Sequence, residues 1–299
     1  MIYFDNASTT KPYDAVLDTY LKYAKDNFYN PSSNYKSAKL NAELIEKIKQ
    51  GMLKILDLTS KKIIFTSSAT EANNLAIIGY LSDKFFKNYH LITTEIEHKS
   101  VLSVFKYLET KGFEVTYLKV NKDQQIDLNE LENSITSRTI FASIMAVNNE
   151  TGGIINIGDA FDILKKHNIM FHSDFSQALF KIDKKLNHNA NMITISSHKL
   201  HGLKSIAALI IDKSIELKPL LIGGGQEYGM RSSTLDFPLI ASFYKTLEIN
   251  NENYLHNKEK IEILFDHAFK ELSKRDYLVI NSLRENNTKY ILNFSLLRI

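Results

Sequence analysis

The 299-residue sequence contains no cysteine, which excludes disulfides, cysteine-ligated zinc and cysteine-ligated iron–sulfur clusters within these residues. The absence also fits a reducing compartment. No apolar run approaches the roughly 18 residues that a transmembrane helix needs, and the start of the chain shows neither the basic nor the apolar segment of a signal peptide. We therefore expect a cytoplasmic protein that makes no membrane contact.

An excess of charge of one sign is also lacking. The 37 basic and 34 acidic residues give a net charge of +3, which is too even to indicate nucleic acid as a partner. No internal repeat, no low-complexity linker and no metal-ligating cluster is predicted. With 44% hydrophobic and 24% charged residues, the composition is that of a globular protein with one large domain or two smaller ones.

Short runs rich in β-branched and aromatic residues alternate with longer helical patterns through the first two-thirds of the chain. Strands are predicted at 63–66, 90–94, 113–120, 139–147, 169–173, 191–196 and 205–211. Helices are predicted at 70–79, 98–111, 127–135 and 157–167, the third of them with capping-box spacing between Asp127 and Glu130. This alternation predicts an α/β domain with a mostly parallel sheet.

The last quarter of the chain has a different pattern. Residues 238–273 read as long helices, and 276–280 and 289–295 read as strands. We expect a large domain over 1–237 and a small α+β domain over 238–299 that is incomplete. The N-terminal segment 1–15 is expected to pack with this small domain.

The loop after the first predicted strand is a candidate phosphate site. Ser67, Ser68 and Thr70 stand between the strand and the following helix. Free N–H groups at a helix start, with hydroxyl donors beside them, suit a phosphate. Ser and Thr also serve as ordinary N-caps, and the loop taken alone favours that alternative.

Two further groups follow later strands. Asp174 ends a buried-looking strand at the edge where parallel α/β sheets bind ligands. A carboxylate there can keep the pyridine nitrogen of pyridoxal 5'-phosphate (PLP) protonated, although an Asp that caps a turn is the commoner case. Lys199 follows the next strand in a position suited to a Schiff-base lysine, although a surface lysine is again commoner. The three elements occur in the order that a PLP site requires, which makes chance assembly much less probable than for each alone.

Short motifs then make the resemblance specific. The segment YFDNASTT at 3–10 resembles the opening "YxDNxATT" of the cysteine desulfurases, a branch of the class V aminotransferases. Further matching segments are NPSS at 30–33, TSSATEANN at 66–74, TEIEH at 94–98, VNNETG at 147–152, SDFSQ at 173–177, SSHK at 196–199 and GGGQEYGMRSST at 223–234. The matches run in order through most of the chain, and as a set they are highly specific.

The resemblance implies the three-layer PLP-transferase fold, a homodimer, L-cysteine as substrate and L-alanine as product. It also implies iron–sulfur cluster assembly and a sulfur-acceptor scaffold protein as a partner. Lys199 would carry the cofactor as a Schiff base and move the substrate α-proton, with His98 stacked on the pyridine ring and Asp174 paired with its nitrogen. The other implied cofactor contacts are Gln177 and Asn149 near the cofactor hydroxyl and substrate, Ala69, Thr70, Ser196 and His198 at the phosphate, and Thr234 reaching the phosphate from a second subunit.

The sequence departs from the family pattern in two respects. Desulfurases of this family use a cysteine in a loop beyond the strand that YILNFSL at 290–296 resembles, and neither that cysteine nor a substrate-binding arginine has a counterpart here. We therefore expect a shortened desulfurase-like enzyme that cannot form a persulfide on this chain. Alternatives are another PLP reaction, such as transamination or β-elimination, and a non-enzymatic degenerate subunit. Serine also replaces usual glycines at Ser68, Ser197 and Ser233, which is expected to cost backbone freedom.

Overall fold

A seven-stranded sheet lies at the centre of the protein, in a computed structural model that describes residues 2–183 and 189–297. The strands are β1 (Lys61–Thr66), β2 (His90–Thr94), β3 (Glu114–Leu118), β4 (Thr139–Ser143), β5 (Met170–Asp174), β6 (Met192–Ser196) and β7 (Ala207–Asp212). They are ordered β1-β7-β6-β5-β4-β2-β3, and only β7 runs antiparallel to its neighbours. The predicted α/β class with a mostly parallel sheet is confirmed.

Helices cover both faces of this sheet. They are α1 (Asp14–Asp26), α2 (Lys36–Ile55), α3 (Ala69–Leu81), α4 (Lys99–Glu109), α5 (Leu128–Ser134), α6 (Ile157–Lys166), α7 (Phe237–Glu252) and α8 (Tyr254–Leu272). Alternate strand residues point to opposite faces, so Ile63 belongs to the core under α2, α6 and α7, whereas Ile64 belongs to the core under α3 and α4. The result is a three-layer arrangement with one apolar core on each face of the sheet.

Several predicted strands are shorter than the sequence pattern indicates, including those predicted at 113–120, 139–147, 276–280 and 289–295. The strand predicted at 139–147 ends at Ser143, because the N–H of Met145 donates to the side chain of Glu97. The strand predicted at 289–295 is reduced to β9 (Phe294–Leu296), which pairs with β8 (Leu278–Ile280). Lys289, the first residue of the predicted strand, has a positive φ of 62° and is therefore not extended.

The segments at the two ends of the chain both reach the central domain. The N–H of Thr10 donates to the carbonyl of His198 at 2.9 Å, so the N-terminal segment lies against the turn that carries Lys199. Near the other end, Asn287 Nδ2 donates to the carbonyl of Thr151 at 2.8 Å. The boundary at residue 237 stays a prediction. Within the described residues, no helix combines the length and apolar character needed to cross a membrane.

Candidate active site

The carboxyl ends of β1, β5 and β6 meet at one edge of the sheet, because these three strands are parallel to one another. This edge places Thr66, Asp174 and Ser196 at the ends of their strands. The hydroxyl loop, the acid and the lysine predicted from the sequence therefore arrive at the same side of the molecule.

Lys199 lies in a tight turn directly after β6. Its Nζ donates to the carbonyl oxygens of Ala7 at 2.5 Å and Ser8 at 2.8 Å, so the N-terminal segment provides its hydrogen-bond partners. Burial lowers the pKa of the Lys199 ammonium, although the charges of Asp174 and Asp5 oppose the shift. An amine that loses its proton more easily is better suited to attack an aldehyde or to accept a proton.

Asp174 is buried, and both of its carboxylate oxygens accept hydrogen bonds. Oδ1 accepts from the N–H of Ser176 at 2.8 Å, and Oδ2 accepts from Asn73 Nδ2 at 2.8 Å. These donors fix the orientation of the carboxylate. Asn73 had no predicted role, although it is part of the TSSATEANN segment, so the motif itself was the available signal.

His98 caps the start of α4, where its Nδ1 accepts from the N–H of Ser100 at 3.1 Å. The residue is exposed, which leaves the imidazole face available for a planar ligand. Its neighbour Glu97 is buried and accepts from the Thr94 hydroxyl and the Met145 N–H through Oε1. Oε2 of Glu97 has no hydrogen-bond partner in the described part of the chain. Burial raises the pKa of Glu97 to about 8.

Gln177 and Asn149 differ in how firmly they are held. Gln177 is buried, and its Nε2 donates to the carbonyl of Ala7 at 2.7 Å. Its Oε1 accepts from Lys181 Nζ at 2.7 Å, a contact that the sequence analysis did not predict. The half-buried Asn149 side chain makes no hydrogen bond to the described residues. Asn149 is thus free to meet a ligand, whereas Gln177 is already oriented.

The predicted phosphate site contains hydrogen-bond donors that have no acceptor among the described residues. Ser68 is the N-cap of α3, since its hydroxyl accepts from the N–H of Glu71 at 3.1 Å. The N–H groups of Ala69 and Thr70 have no acceptor among the described residues. The buried hydroxyl of Ser196 likewise has no partner there. Capping and anion binding are therefore compatible at this helix start.

His198 is the fourth residue predicted at the phosphate. Its Nδ1 lies 3.1 Å from the Thr9 hydroxyl. Burial, together with the positive charges of Lys199, Lys204 and Lys181, lowers the pKa of His198 to about 4. A histidine that stays neutral at physiological pH acts on a phosphate as a hydrogen-bond donor, not as a charge.

The three serines that replace family glycines cause no backbone strain. None of Ser68, Ser197 and Ser233 has a positive φ, and Ser68 is extended at φ −163°. Serine is therefore compatible with the backbone conformation at these positions, and a cost to close approach of the cofactor stays a prediction. The Ser197 hydroxyl instead occupies the space above Gly202, where any side chain would collide with it.

Thr234 is exposed and lies away from Lys199 in sequence and on a different loop. It lines a small cavity of about 130 Å³ together with Thr66, Ser67 and Arg231. A larger open cavity of about 430 Å³ lies between α3 and α4, and its lining includes Thr70 and His98 but neither Lys199 nor Asp174. A contribution of Thr234 to a second subunit's phosphate site stays a prediction.

Comparison with known proteins decides the family. The Aminotransferase class-V family matches residues 2–299. This chain belongs to that family. It is 38% identical over 299 residues to a protein named cysteine desulfurase IscS from Rickettsia typhi, a match that spans 98% of this chain and 73% of the relative. It is also 38% identical to the mitochondrial cysteine desulfurase of Saccharomyces cerevisiae, over 98% of this chain and 60% of that protein.

Solved structures agree with this class V assignment. A NifS-like protein superposes with a TM-score of 0.92 at 33% identity, over 96% of this chain and 80% of that one. A structure described as SspA in complex with cysteine superposes with a TM-score of 0.78 at 36% identity, over 83% of this chain and 72% of that one. The predicted resemblance is confirmed, and so is PLP as the cofactor, since class V aminotransferases and cysteine desulfurases depend on it.

The residues of this class V chain fit PLP on structural grounds. The unpaired Ser196 hydroxyl and the free amides at the start of α3 offer donors for the phosphate. The buried Asp174 carboxylate suits a protonated ring nitrogen, and the exposed His98 ring suits a planar face. Lys199 supplies the amine, in the turn directly after β6.

Proposed function

We propose that this class V chain binds PLP through Lys199 and acts on L-cysteine in the manner of a cysteine desulfurase. The observation that carries the proposal is the meeting of Asp174, Lys199 and the free donors of the α3 start at one sheet edge. The family reaction removes sulfur from L-cysteine and leaves L-alanine. L-Cysteine as substrate is supported by the relatives' names and by the cysteine complex of a similar protein.

The residues of this chain have separate roles in the proposed reaction, according to where each lies in the site. PLP, when bound, supplies an electron sink for negative charge at the α-carbon of an amino acid. Asp174 holds a negative charge where the ring nitrogen keeps its proton, and Lys199 exchanges a proton with the substrate α-carbon. Ser196, His198 and the amides of Ala69 and Thr70 bind the phosphate, which fixes the cofactor without taking part in proton transfer.

Sulfur transfer is limited by the absence of a thiol in these 299 residues. A persulfide needs a thiolate, and methionine sulfur is already dialkylated. We therefore propose that any sulfane sulfur is accepted by a thiol outside this sequence, such as a scaffold protein of iron–sulfur cluster assembly. The same absence favours a second candidate, a PLP reaction that needs no protein thiol, such as β-elimination.

Lys199 is tested by reducing the loaded protein with borohydride and mapping the labelled peptide. We expect the pyridoxyl group on Lys199, and a label on any other lysine would refute the assignment. The reaction is tested by incubating the 299-residue chain with labelled L-cysteine and measuring α-proton exchange and sulfur bound to the protein. Exchange without bound sulfur supports the proposal, and stoichiometric bound sulfur contradicts it. A chain with neither cofactor binding nor exchange is the non-enzymatic subunit.

A further inference from the structure

A second lysine reaches the candidate site through Gln177. Lys181 Nζ donates to Gln177 Oε1 at 2.7 Å, and Nε2 of the same amide donates to the carbonyl of Ala7 at 2.7 Å. That carbonyl also accepts from Lys199 Nζ at 2.5 Å. A continuous line of hydrogen bonds therefore joins the two lysines, with the Gln177 amide at its centre.

Lys181 and the Ala7 carbonyl together set which end of this amide faces the site. The two ends of a glutamine amide have nearly the same shape but opposite hydrogen-bonding roles, and a protonated lysine can only donate. The Lys181 amine therefore holds Oε1, which leaves Nε2 as the donor toward the N-terminal segment. Without that amine, Oε1 would lose its described partner, and the contact of Nε2 with the Ala7 carbonyl would hold the amide alone.

The surroundings of Lys181 do not favour a purely structural role. No carboxylate of the described residues lies within ion-pairing distance of its Nζ, and the nearest aromatic face is the Tyr290 ring at 6.0 Å. Burial lowers the pKa of Lys181 to about 7, and the charge of Lys199 acts in the same direction. The charge of Lys181 in turn contributes to the lowered pKa values of His198 and His201. A partly buried amine without an acidic partner is costly, so its contact with Gln177 is the feature that accounts for it.

We propose that Lys181 is a positioning residue of the cofactor site, which holds the Gln177 amide with Nε2 toward Ala7 and the bound cofactor. The inference rests on the proposed function, because it gives Gln177 a ligand to meet. Lys181 itself touches neither the cofactor nor the substrate in this arrangement, and it acts only through Gln177.

The first test is a double-mutant cycle on the cofactor dissociation constant, measured by absorbance titration. We expect Lys181→Met to weaken PLP binding about fivefold, the scale of one net hydrogen bond, whereas Lys181→Arg retains a donor and stays within about twofold of the wild type. Lys166→Met, which changes an exposed lysine on α6, is the matched control. Lys181→Met added to Gln177→Ala should cause no further loss, because the partner is already absent.

Additive losses in this cycle, or equal affinities for Lys181→Met and Lys166→Met, would overturn the inference. A second measurement uses the cofactor-free chain. The side-chain amide resonances of Gln177 in 15N-labelled protein should shift and broaden in Lys181→Met but not in Lys181→Arg, and unchanged resonances in both would contradict the proposed contact. Wild-type protein that binds no PLP refutes the proposed function, whereas the resonance comparison still decides the role of Lys181.

Discussion

At the scale of single residues, Asp174 provides the negative charge that is proposed to keep the ring nitrogen of the cofactor protonated. Its two oxygens are held by Ser176 and Asn73, and Asp174→Asn keeps the shape but removes the negative charge. We expect the variant to retain PLP but to lose about 100-fold or more in α-proton exchange, the scale of removing one preorganised electrostatic group. Proton exchange into bound L-alanine, followed by NMR, measures this.

The matched control for Asp174 is Asp159→Asn, which changes an exposed acid in the first turn of α6. It should leave both cofactor binding and exchange unchanged. Undiminished exchange in Asp174→Asn would remove the ring-nitrogen role from this residue.

Glu97 makes the stability of the protein depend on pH. Burial raises its pKa to about 8 in the folded protein from an ordinary value of 4.5, so the folded state holds a proton that the unfolded state releases. The free energy of unfolding therefore falls as pH rises between these two values, by up to about 1.4 kcal/mol per pH unit. Glu97→Gln removes this term, so the stability of the variant should rise relative to wild type from pH 5 to pH 8.

Urea unfolding at several pH values checks the Glu97 prediction. Glu95→Gln changes an exposed neighbour, so its free energy of unfolding should vary with pH as that of the wild type does, over the whole pH range. If the free energy of unfolding of Glu97→Gln varies with pH as that of the wild type does, the carboxyl group is ionised in the folded protein. The argument from burial then fails.

At the scale of elements, a buried ion pair fixes the loop after β7 to α2. Lys49 Nζ lies 2.8 Å from Glu227 Oε1, both side chains are almost fully buried, and Glu227 Oε2 accepts from the N–H of Phe65 at 2.7 Å. Glu227 and Tyr228 both have positive φ, so the loop bends sharply at this contact. The pair therefore holds a strained backbone segment against the end of β1.

Breaking one half of this pair leaves a buried charge without a partner. We expect Lys49→Met to lower the free energy of unfolding by about 3–5 kcal/mol. The double variant Lys49→Met/Glu227→Gln should lose less free energy of unfolding than the sum of the losses in the two single variants, because neither charge is left buried without a partner. Lys47→Met, on the exposed face of the same helix, is the control. Strictly additive losses in urea unfolding would contradict the coupling.

The same elements show what sequence can and cannot predict. Strands β1, β2 and β6 follow directly from runs of β-branched residues, and the order of the motifs identified Asp174 and Lys199. Helix α2 was not predicted, because its buried face includes the polar residues Asn41 and Lys49. Glu97 and Lys181 were also missed as special groups, since burial and a specific neighbour, not residue type, give them their properties.

For the whole molecule, we predict a homodimer that uses the loop between β7 and α7. This loop exposes Leu221, Ile222 and Tyr228, and Ile222 is 90% exposed. Apolar side chains grouped in this way favour burial against another surface. Light scattering at micromolar concentration should give twice the chain mass, and Ile222→Lys should weaken association at least tenfold. Ile263→Lys, an exposed change on α8, serves as the control, and a monomeric wild type with normal PLP binding refutes the dimer.

Because β7 pairs antiparallel with both β6 and β1, we expect the cofactor to be retained until the whole sheet unfolds. The turn that carries Lys199 begins at the end of β6, and β7 pairs with β6 along its length while β5 and β1 flank them. We therefore expect the turn to move with the sheet and not as an independent flap. We expect the anchoring lysine to keep its place until the middle of the sheet separates, because the centre of a sheet is the region that opens last. In kinetic terms, cofactor loss on heating should follow global unfolding and not local loop motion.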